Sequence, residues 1–243
     1  MDPLPAPGPG HPIRGVIFDL HATLLHGGDP AAWLGAATVL LAQDPTRGGR
    51  FPVPDPHEPD MATPTLQQIA PIASRIWDHA RQIDPASERD LSPQQHRAVY
   101  DRLVEHLGII PAPLADALYE TMPDQWDAYE EAAGVLAELR LRGVRTAVLS
   151  NVGLDPRPAL RRCGLAGLYD AEVFSFEVGT VKPDPAIFQM AADALGLPPR
   201  ELLMVGDSVE DDTGAAQLGM RTLILPRNAG TTHGLGQVLR LVG

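Results

Sequence analysis

One segment, GVIFDLHATLL at residues 15–25, limits the fold of this chain more than any other. Its run of β-branched and aromatic residues, Val16 to Phe18, predicts a strand buried on both faces, as in a parallel sheet. The strand ends at the carboxylate of Asp19. Ligands of open α/β sheets bind at the carboxyl ends of strands, so we expect Asp19 to face a site. On this segment alone, an aspartate that caps a turn is an equal alternative.

Three later segments also place polar residues at the end of a predicted strand or in a predicted turn. They contain Ser150 with Asn151, then Lys182, then Asp207 followed by Asp211 and Asp212. Lys182 is the only lysine of the chain, which otherwise uses arginine as its strongly basic residue. A lone lysine indicates a position that needs a compact ammonium group rather than a planar guanidinium.

Strand and helix patterns alternate from about residue 129 onward. Strands are predicted at 144–149, 171–175, 202–205 and 222–225, with helices between them at 157–163, 185–195 and 212–218. A further helix is predicted within the terminal segment 227–243, whose role the sequence does not indicate. The alternation predicts an α/β fold with a doubly wound parallel sheet and right-handed crossovers.

No strand pattern occurs between about residues 28 and 124. Helices are predicted at 30–43, at 65–83, from Ser92 to Gly108 and at 113–121, and a proline-rich loop is predicted at 44–60. The expected organisation is a disordered tail at 1–11, an α/β core formed by 12–27 and 125–243, and an all-helical insertion at 28–124.

The order of the polar strand ends resembles the four motifs of the haloacid dehalogenase-like (HAD) superfamily. The resemblance covers residues 13–25 and roughly 130–226, and it includes the pattern SFEVG at 175–179 ahead of Lys182. It implies a HAD-like Rossmannoid core. An insertion directly after the first motif implies a helical C1 cap domain that closes over the site.

The resemblance also implies a role for each motif residue in a magnesium-dependent hydrolase of a small phosphorylated metabolite. Asp19 would be the nucleophile, forming an aspartyl-phosphate, and a ligand of Mg²⁺. The backbone carbonyl of His21 and the carboxylate of Asp207 would complete the protein ligands of the metal. Ser150, the backbone N–H of Asn151 and Lys182 would bind the phosphoryl group. Asp212 would support the metal or position Lys182, with Asp211 as the weaker candidate.

His21 departs from the family pattern, because HAD phosphatases have a second aspartate two residues after the nucleophile. An imidazole with a pKa near 6.5 can serve as the acid/base in its place. The alternative is a site that has lost this function, since loss of a general acid/base typically costs about 10²–10⁴ in rate.

Other chemistries of the family stay open to different degrees. A metal-independent dehalogenase-type hydrolase does not need Asp207, so the intact Gly206-Asp207 pair argues against it. A phosphonatase needs a lysine in its cap, and the predicted cap has none. A mutase would look much like a phosphatase and stays possible, and a weakly active or non-catalytic HAD-like binding protein is a further alternative.

Composition excludes several partners. A formal net charge of −12 offers no electrostatic footprint for nucleic acid. No apolar run reaches the roughly 18–20 residues of a membrane span. A single cysteine, Cys163, and an N-terminus without signal-peptide features lead us to expect a cytoplasmic protein.

The substrate would be selected by the predicted cap, where the sequence offers candidates without deciding between them. Its arginine and histidine side chains can meet an anionic substrate or be solvated: Arg75, Arg81, Arg102, His79 and His96. His26 and Asp29 are expected near the site entrance or in a loop. Trp33, Trp77 and Trp126 are expected in a core or interface rather than as substrate platforms.

Overall fold

The structure is a computed structural model that describes residues 12–43, 66–73, 75–227 and 230–242. The predicted tail at 1–11 and the predicted loop at 44–60 lie outside the described residues. Among the helices that are described, none is long and apolar enough to cross a membrane.

Most strands of the described residues form one parallel sheet. In chain order the strands are β1 (Gly15–Phe18), β2 (Leu25–Gly27), β3 (Trp126–Ala128), β4 (Arg145–Ser150), β5 (Ala171–Phe174), β6 (Leu202–Gly206) and β7 (Arg221–Ile224). The sheet has the order β5-β4-β1-β6-β7, and every pairing in it is parallel. The strands β2 and β3 form a separate antiparallel pair beside it.

Both faces of the parallel sheet are buried under helices. Alternate residues of β1 illustrate this, since Val16 and Phe18 join one apolar cluster and Ile17 joins another. Adjacent side chains of a strand point to opposite faces, so two clusters require a covering layer on each side. The predicted doubly wound α/β fold is confirmed.

The α-helices of the described residues, in chain order, are α1 (Pro30–Gln43), α2 (Leu66–Ala73), α3 (Ala80–Ile83), α4 (Pro93–Leu107), α5 (Ala112–Thr121), α6 (Ala132–Leu141), α7 (Arg157–Arg162), α8 (Ser175–Val178), α9 (Pro185–Leu195), α10 (Val209–Asp212) and α11 (Val238–Leu241). Short 3₁₀ segments at Ile76–His79, Glu88–Leu91, Met122–Gln125, Pro199–Glu201, Thr213–Leu218 and Leu235–Gln237 connect or extend them.

The helices α1 to α5 have their own apolar cluster, separate from the two clusters of the sheet. It is built on fully or nearly fully buried side chains such as Ile69, Tyr100 and Leu114. The antiparallel pair β2–β3 carries the chain out of the sheet to these helices and back. We call the stretch from α1 to α5 the helical insertion.

Two predicted helices differ from those observed. The helix predicted at 65–83 is divided into α2, a 3₁₀ turn at Ile76–His79 and α3. Pro71 lies inside α2, where it has no N–H to donate and weakens the helix. The helix predicted at 212–218 begins earlier, because the Ser208 side chain accepts from the N–H of Asp211 and caps α10.

Candidate active site

The site lies where the central strands of the sheet end. Asp19 follows β1, Ser150 ends β4 and Asp207 follows β6, and β1 pairs with both of the other strands. All three side chains line one cavity of about 600 Å³ between the sheet and the helical insertion. The sheet order therefore brings together residues that the sequence separates by more than a hundred positions.

Lys182 joins two of the carboxylates. Its ammonium lies 2.6 Å from Asp19 Oδ1 and 2.7 Å from Asp212 Oδ1, and all three side chains are buried. Asn151 fixes the backbone beneath it, since its side-chain amide donates to the carbonyl of Lys182 at 3.0 Å and its oxygen accepts from the N–H of Lys182 at 2.7 Å. Lys182 is thus held at its backbone by Asn151 and at its ammonium by Asp19 and Asp212.

Asp212 and Asp211 have different partners, although they are neighbours. The second oxygen of Asp212 accepts from the N–H of Ser208 at 3.0 Å. A side chain at Gly206 would collide with this carboxylate, so the position requires glycine. Asp211 turns instead toward the helical insertion, where it lies 2.9 Å from Arg81 Nη2. Only Asp212 of the two contacts Lys182 in the described residues.

Burial and the neighbouring charges shift the pKa values of both Asp19 and Lys182. Burial raises the pKa of Asp19 to about 7; Lys182 opposes this shift, and Asp212 and Asp207 reinforce it. Burial alone would lower the pKa of Lys182, but the attraction of Asp19 and Asp212 outweighs it and raises that pKa above its ordinary value. Lys182 is therefore a permanent cation beside the Asp19 carboxylate.

Asp207 is paired with Arg227, whose Nε donates to Asp207 Oδ2. The Asp207 side chain is only 3% exposed, whereas that of Arg227 is 72% exposed. Sequence reasoning missed Arg227. A signal was available, because Arg227 follows β7 at the same carboxyl edge of the sheet as the other site residues.

Ser150 and His21 complete the sheet side of the cavity. The Ser150 hydroxyl has a long contact of 3.5 Å to the carbonyl of Asn151, which is a weak hydrogen bond. The Nε2 atom of His21 is buried with no hydrogen-bond partner in the described structure, and its ring packs edge-on against Trp126 at 4.5 Å. Both groups are available to a ligand.

His21 differs from the titrating imidazole expected from the sequence. Burial lowers the pKa of His21 to about 4, and the charges of Lys182 and Arg227 add to the effect. The imidazole is therefore neutral near pH 7 in this structure. The next residue, Ala22, has a left-handed backbone with φ of 60°, a conformation that favours glycine.

The donor set indicates which metals fit. The described residues contain no group of three or more histidine, cysteine, aspartate or glutamate side chains that could hold a metal ion. A zinc site built from three or four side chains is therefore not formed in that part of the chain. Asp19 and Asp207 supply two hard carboxylates, and Mg²⁺ is commonly held by one or two carboxylates with waters. The donors fit Mg²⁺, provided that Arg227 releases Asp207.

The helical insertion forms the opposite wall of the cavity. Arg81, His96, Trp33 and Trp77 of the insertion line the cavity, as does Trp126 of β3. The other candidates named from the sequence do not: Arg75, Arg102, His79, His26 and Asp29. The two parts of the chain also touch beside the cavity. The Ser175 hydroxyl donates to the carbonyl of Asp90 at 2.5 Å, and a side chain at Gly153 would collide with the carbonyl of Arg89.

Comparison with known proteins agrees with this architecture. The family model of haloacid dehalogenase-like hydrolases matches residues 13–219. The chain is 37% identical to the phosphoserine phosphatase of Thermus thermophilus over 134 residues, which are 53% of this chain and 53% of that protein. It therefore matches about half the length of that phosphatase.

Dehalogenases are matched over a greater length. The chain is 35% identical to the (S)-2-haloacid dehalogenase 1 of a Pseudomonas species over 228 residues, 89% of this chain and 86% of that enzyme. A crystal structure of a dehalogenase superposes with a TM-score of 0.65 over 94% of this chain and 96% of that chain. Its sequence identity of 23% makes it evidence for the fold alone.

Proposed function

The chain belongs to the haloacid dehalogenase-like hydrolase family, and we propose that it is a magnesium-dependent phosphatase of a small phosphorylated metabolite. The observation that carries this proposal is the buried carboxylate of Asp207, which lines the same cavity as Asp19. Attack on carbon needs no divalent cation and therefore no second carboxylate to bind one. Two carboxylates suit a hard divalent cation beside a phosphoryl group.

In the proposed reaction, the Asp19 carboxylate attacks phosphorus and the bond from phosphorus to the leaving-group oxygen breaks. The resulting aspartyl-phosphate is hydrolysed by water, which releases inorganic phosphate and restores Asp19. Lys182, the Ser150 hydroxyl and the N–H of Asn151 bind the phosphoryl oxygens, where negative charge develops. Because Asn151 and Asp212 already hold Lys182, little reorganisation is needed.

The metal and the proton carrier follow from the same residues. Mg²⁺, when bound, would be held by Asp19, Asp207 and the backbone carbonyl of His21, and it would neutralise charge on the phosphoryl group. We assign the acid/base position to His21, because its Nε2 has no protein partner in the described residues and its ring lines the cavity. The neutral imidazole can accept the proton of the attacking water, and the negative charge of a bound phosphate ester would raise its pKa so that it can also protonate the leaving group. Asp212 positions Lys182, and Asp211 is left as a weaker supporting residue.

We also propose that residues 28–124 act as a cap domain over a core formed by 12–27 and 125–243. The contacts of Arg81 with Asp211 and of Ser175 with Asp90 support this division, since they cross the cavity edge. Both are single polar contacts that a moving cap can break and remake.

A second candidate is hydrolysis of a carbon–halogen bond without a metal. The dehalogenase relative matched over most of its length favours it, as does the pairing of Asp207 with Arg227 in place of a cation. Here Asp19 would displace halide from carbon, and water would hydrolyse the ester to give a hydroxy acid. A non-catalytic binding protein would do neither.

Release of phosphate and of halide separates these candidates. We would measure both from panels of phosphomonoesters and 2-haloacids, with and without Mg²⁺, for the wild type and Asp19→Asn. The proposal expects magnesium-dependent phosphate release that disappears in Asp19→Asn. Halide release without magnesium would establish the second candidate. If neither phosphate nor halide is released, the chain is a non-catalytic binding protein.

A further inference from the structure

A group of aromatic and aliphatic side chains lines the cavity beside polar residues such as Gln125 and His96. One of the group is Trp126, whose ring contacts His21 and is thus adjacent to the proposed acid/base. The others are Met122, Trp33, Ile76 and Trp77. Trp33 offers no free donor there, because its indole N–H donates to the carbonyl of Leu118 and the hydroxyl of Thr121, both at 3.1 Å.

The cations that line the described cavity already have carboxylate partners. Arg89 lies 3.1 Å from Asp84 and 3.4 Å from Asp90, and Arg81 lies 2.9 Å from Asp211. At the catalytic end Lys182 is paired with Asp19, and Arg227 is paired with the Asp207 carboxylate that Mg²⁺ would need. Near the helical insertion, a second anionic group on a substrate would have to compete with Asp84, Asp90 or Asp211 for these arginines, whereas an uncharged group competes with none.

The cavity also has room for more than a phosphoryl group. Its volume of about 600 Å³ lies within the range of about 300–1,000 Å³ typical of sites for whole small molecules. A phosphoryl group bound by Asp19, Ser150 and Lys182 would fill only part of this volume. The lining of the cavity also includes Trp126, Met122 and Trp77, which the rest of a substrate can contact.

We infer that the leaving group of the substrate is uncharged and apolar, of the size of an aromatic ring or a branched alkyl group, and that Trp77 and Trp126 select it. The inference rests on the proposed phosphatase function and adds the substrate class. Desolvation of the apolar group and stacking on the indole rings would supply the selectivity. Sugar phosphates and esters with a second acidic group would be poor substrates.

Substrates with matched leaving-group chemistry test the inference in the wild-type enzyme. Benzyl phosphate, ethyl phosphate and phosphoglycolate all release an alcohol, so intrinsic reactivity differs little among them. We expect kcat/KM for benzyl phosphate to exceed each of the other two by at least about tenfold, as burial of a ring in an apolar site allows. Equal values, or a preference for phosphoglycolate, would overturn the inference while leaving the phosphatase function intact.

Variants locate the selectivity. Trp77→Ala should lower the ratio of kcat/KM for benzyl phosphate to that for ethyl phosphate by about tenfold, and Trp77→Phe should restore most of it. Arg142→Ala is the control, because neither Arg142 nor its partner Glu138 lines the cavity. An unchanged ratio in a folded Trp77→Ala protein would remove Trp77 from the selecting wall and overturn the assignment.

Binding distinguishes failure of the inference from failure of the phosphatase function. If no ester is hydrolysed, calorimetry with benzylphosphonate and phosphonoacetate, which cannot be hydrolysed, still compares an aromatic and an acidic group. At least about tenfold tighter binding of benzylphosphonate would support the apolar wall. Equal binding, tighter binding of phosphonoacetate, or no binding of either would contradict it.

Discussion

Asp212 accepts a hydrogen bond from Lys182 at 2.7 Å, and the two side chains are 0% and 3% exposed. The same ammonium is shared with Asp19, so one lysine balances two buried carboxylates. Removal of one member of a buried ion pair leaves an uncompensated charge, which is far more costly than loss of a surface pair. The stability of the fold and the order of the site therefore depend on the same three side chains.

Asp212→Asn should lower the free energy of unfolding by about 1.5–3 kcal/mol and loosen Lys182, because the hydrogen bond from the ammonium loses its charged acceptor while Asp19 still balances the lysine. The double variant Lys182→Met/Asp212→Asn should lose less than the sum of the two single losses, because the residues share one interaction. Urea unfolding measures all of these values. Asp211→Asn is the matched control, since its pair with Arg81 is partly exposed and should be worth less than about 1 kcal/mol. Strictly additive losses would contradict the pairing.

Ala22→Gly should stabilise the protein by about 1 kcal/mol, because Ala22 has a φ of 60° and a left-handed conformation costs an L-residue roughly 1–2 kcal/mol. The added flexibility of glycine in the unfolded chain offsets part of this gain. Thermal or urea unfolding gives the change. Ala137→Gly, an exposed position within α6, is the control and should destabilise by about 1 kcal/mol. A destabilised Ala22→Gly variant would contradict the prediction and would mean that Ala22 does not keep its left-handed conformation in solution.

The contribution of His96 to the stability of the protein should be lost as pH decreases from about 6.5 toward 4. Burial lowers the pKa of His96 to about 4 from an ordinary 6.5; Arg89 and His21 add to the shift, and His96 Nδ1 lies 3.0 Å from the Tyr119 hydroxyl. Below pH 6.5 the unfolded chain binds a proton that the folded chain does not. The contribution is therefore complete above pH 6.5 and declines by about 3 kcal/mol on acidification.

Comparison with His96→Gln isolates this contribution, since Asp90 and Asp19 have pKa values raised to about 6 and about 7 and act with the opposite sign, whereas the lowered pKa of His21 acts with the same sign. The difference in unfolding free energy between wild type and His96→Gln should decrease toward pH 4. Parallel curves from pH 7 to 4 would show that the folded protein protonates His96 freely.

Arg227→Gln should increase affinity for Mg²⁺ by about tenfold, because Arg227 pairs with the Asp207 carboxylate that a metal would need. Calorimetric titration of the wild type and the variant with Mg²⁺ measures the change. Arg14→Gln is the control, since it removes an arginine paired with Glu201 outside the cavity lining. Unchanged affinity would indicate that Arg227 does not hold Asp207 in solution.

Local pattern predicted much of the scaffold. The strand from Val16 to Phe18 and the helix at 185–195 were predicted because their apolar periodicity and end signals are local. The prediction of one continuous helix at 65–83 was wrong, because the apolar spacing continues across the division between α2 and α3. Ile69, Ala73, Ile76 and Ala80 are all buried although they lie in separate helical segments. Spacing alone does not reveal where Pro71 weakens the backbone.

The sequence by itself determined that Asp19, Ser150 and Asp207 lie at strand ends, and its resemblance to the HAD motifs grouped them with Lys182, which lies in the loop between α8 and α9. Only the tertiary structure decided how they are paired. Asp212 rather than Asp211 contacts Lys182, and Arg227 forms an ion pair with Asp207. Trp77 and Trp126 line the same cavity. The physical reason is range: periodicity and turn signals act over a few residues. The pair between Asp19 and Lys182 joins residues 163 positions apart, and sheet order and the docking of the helical insertion bring such residues together.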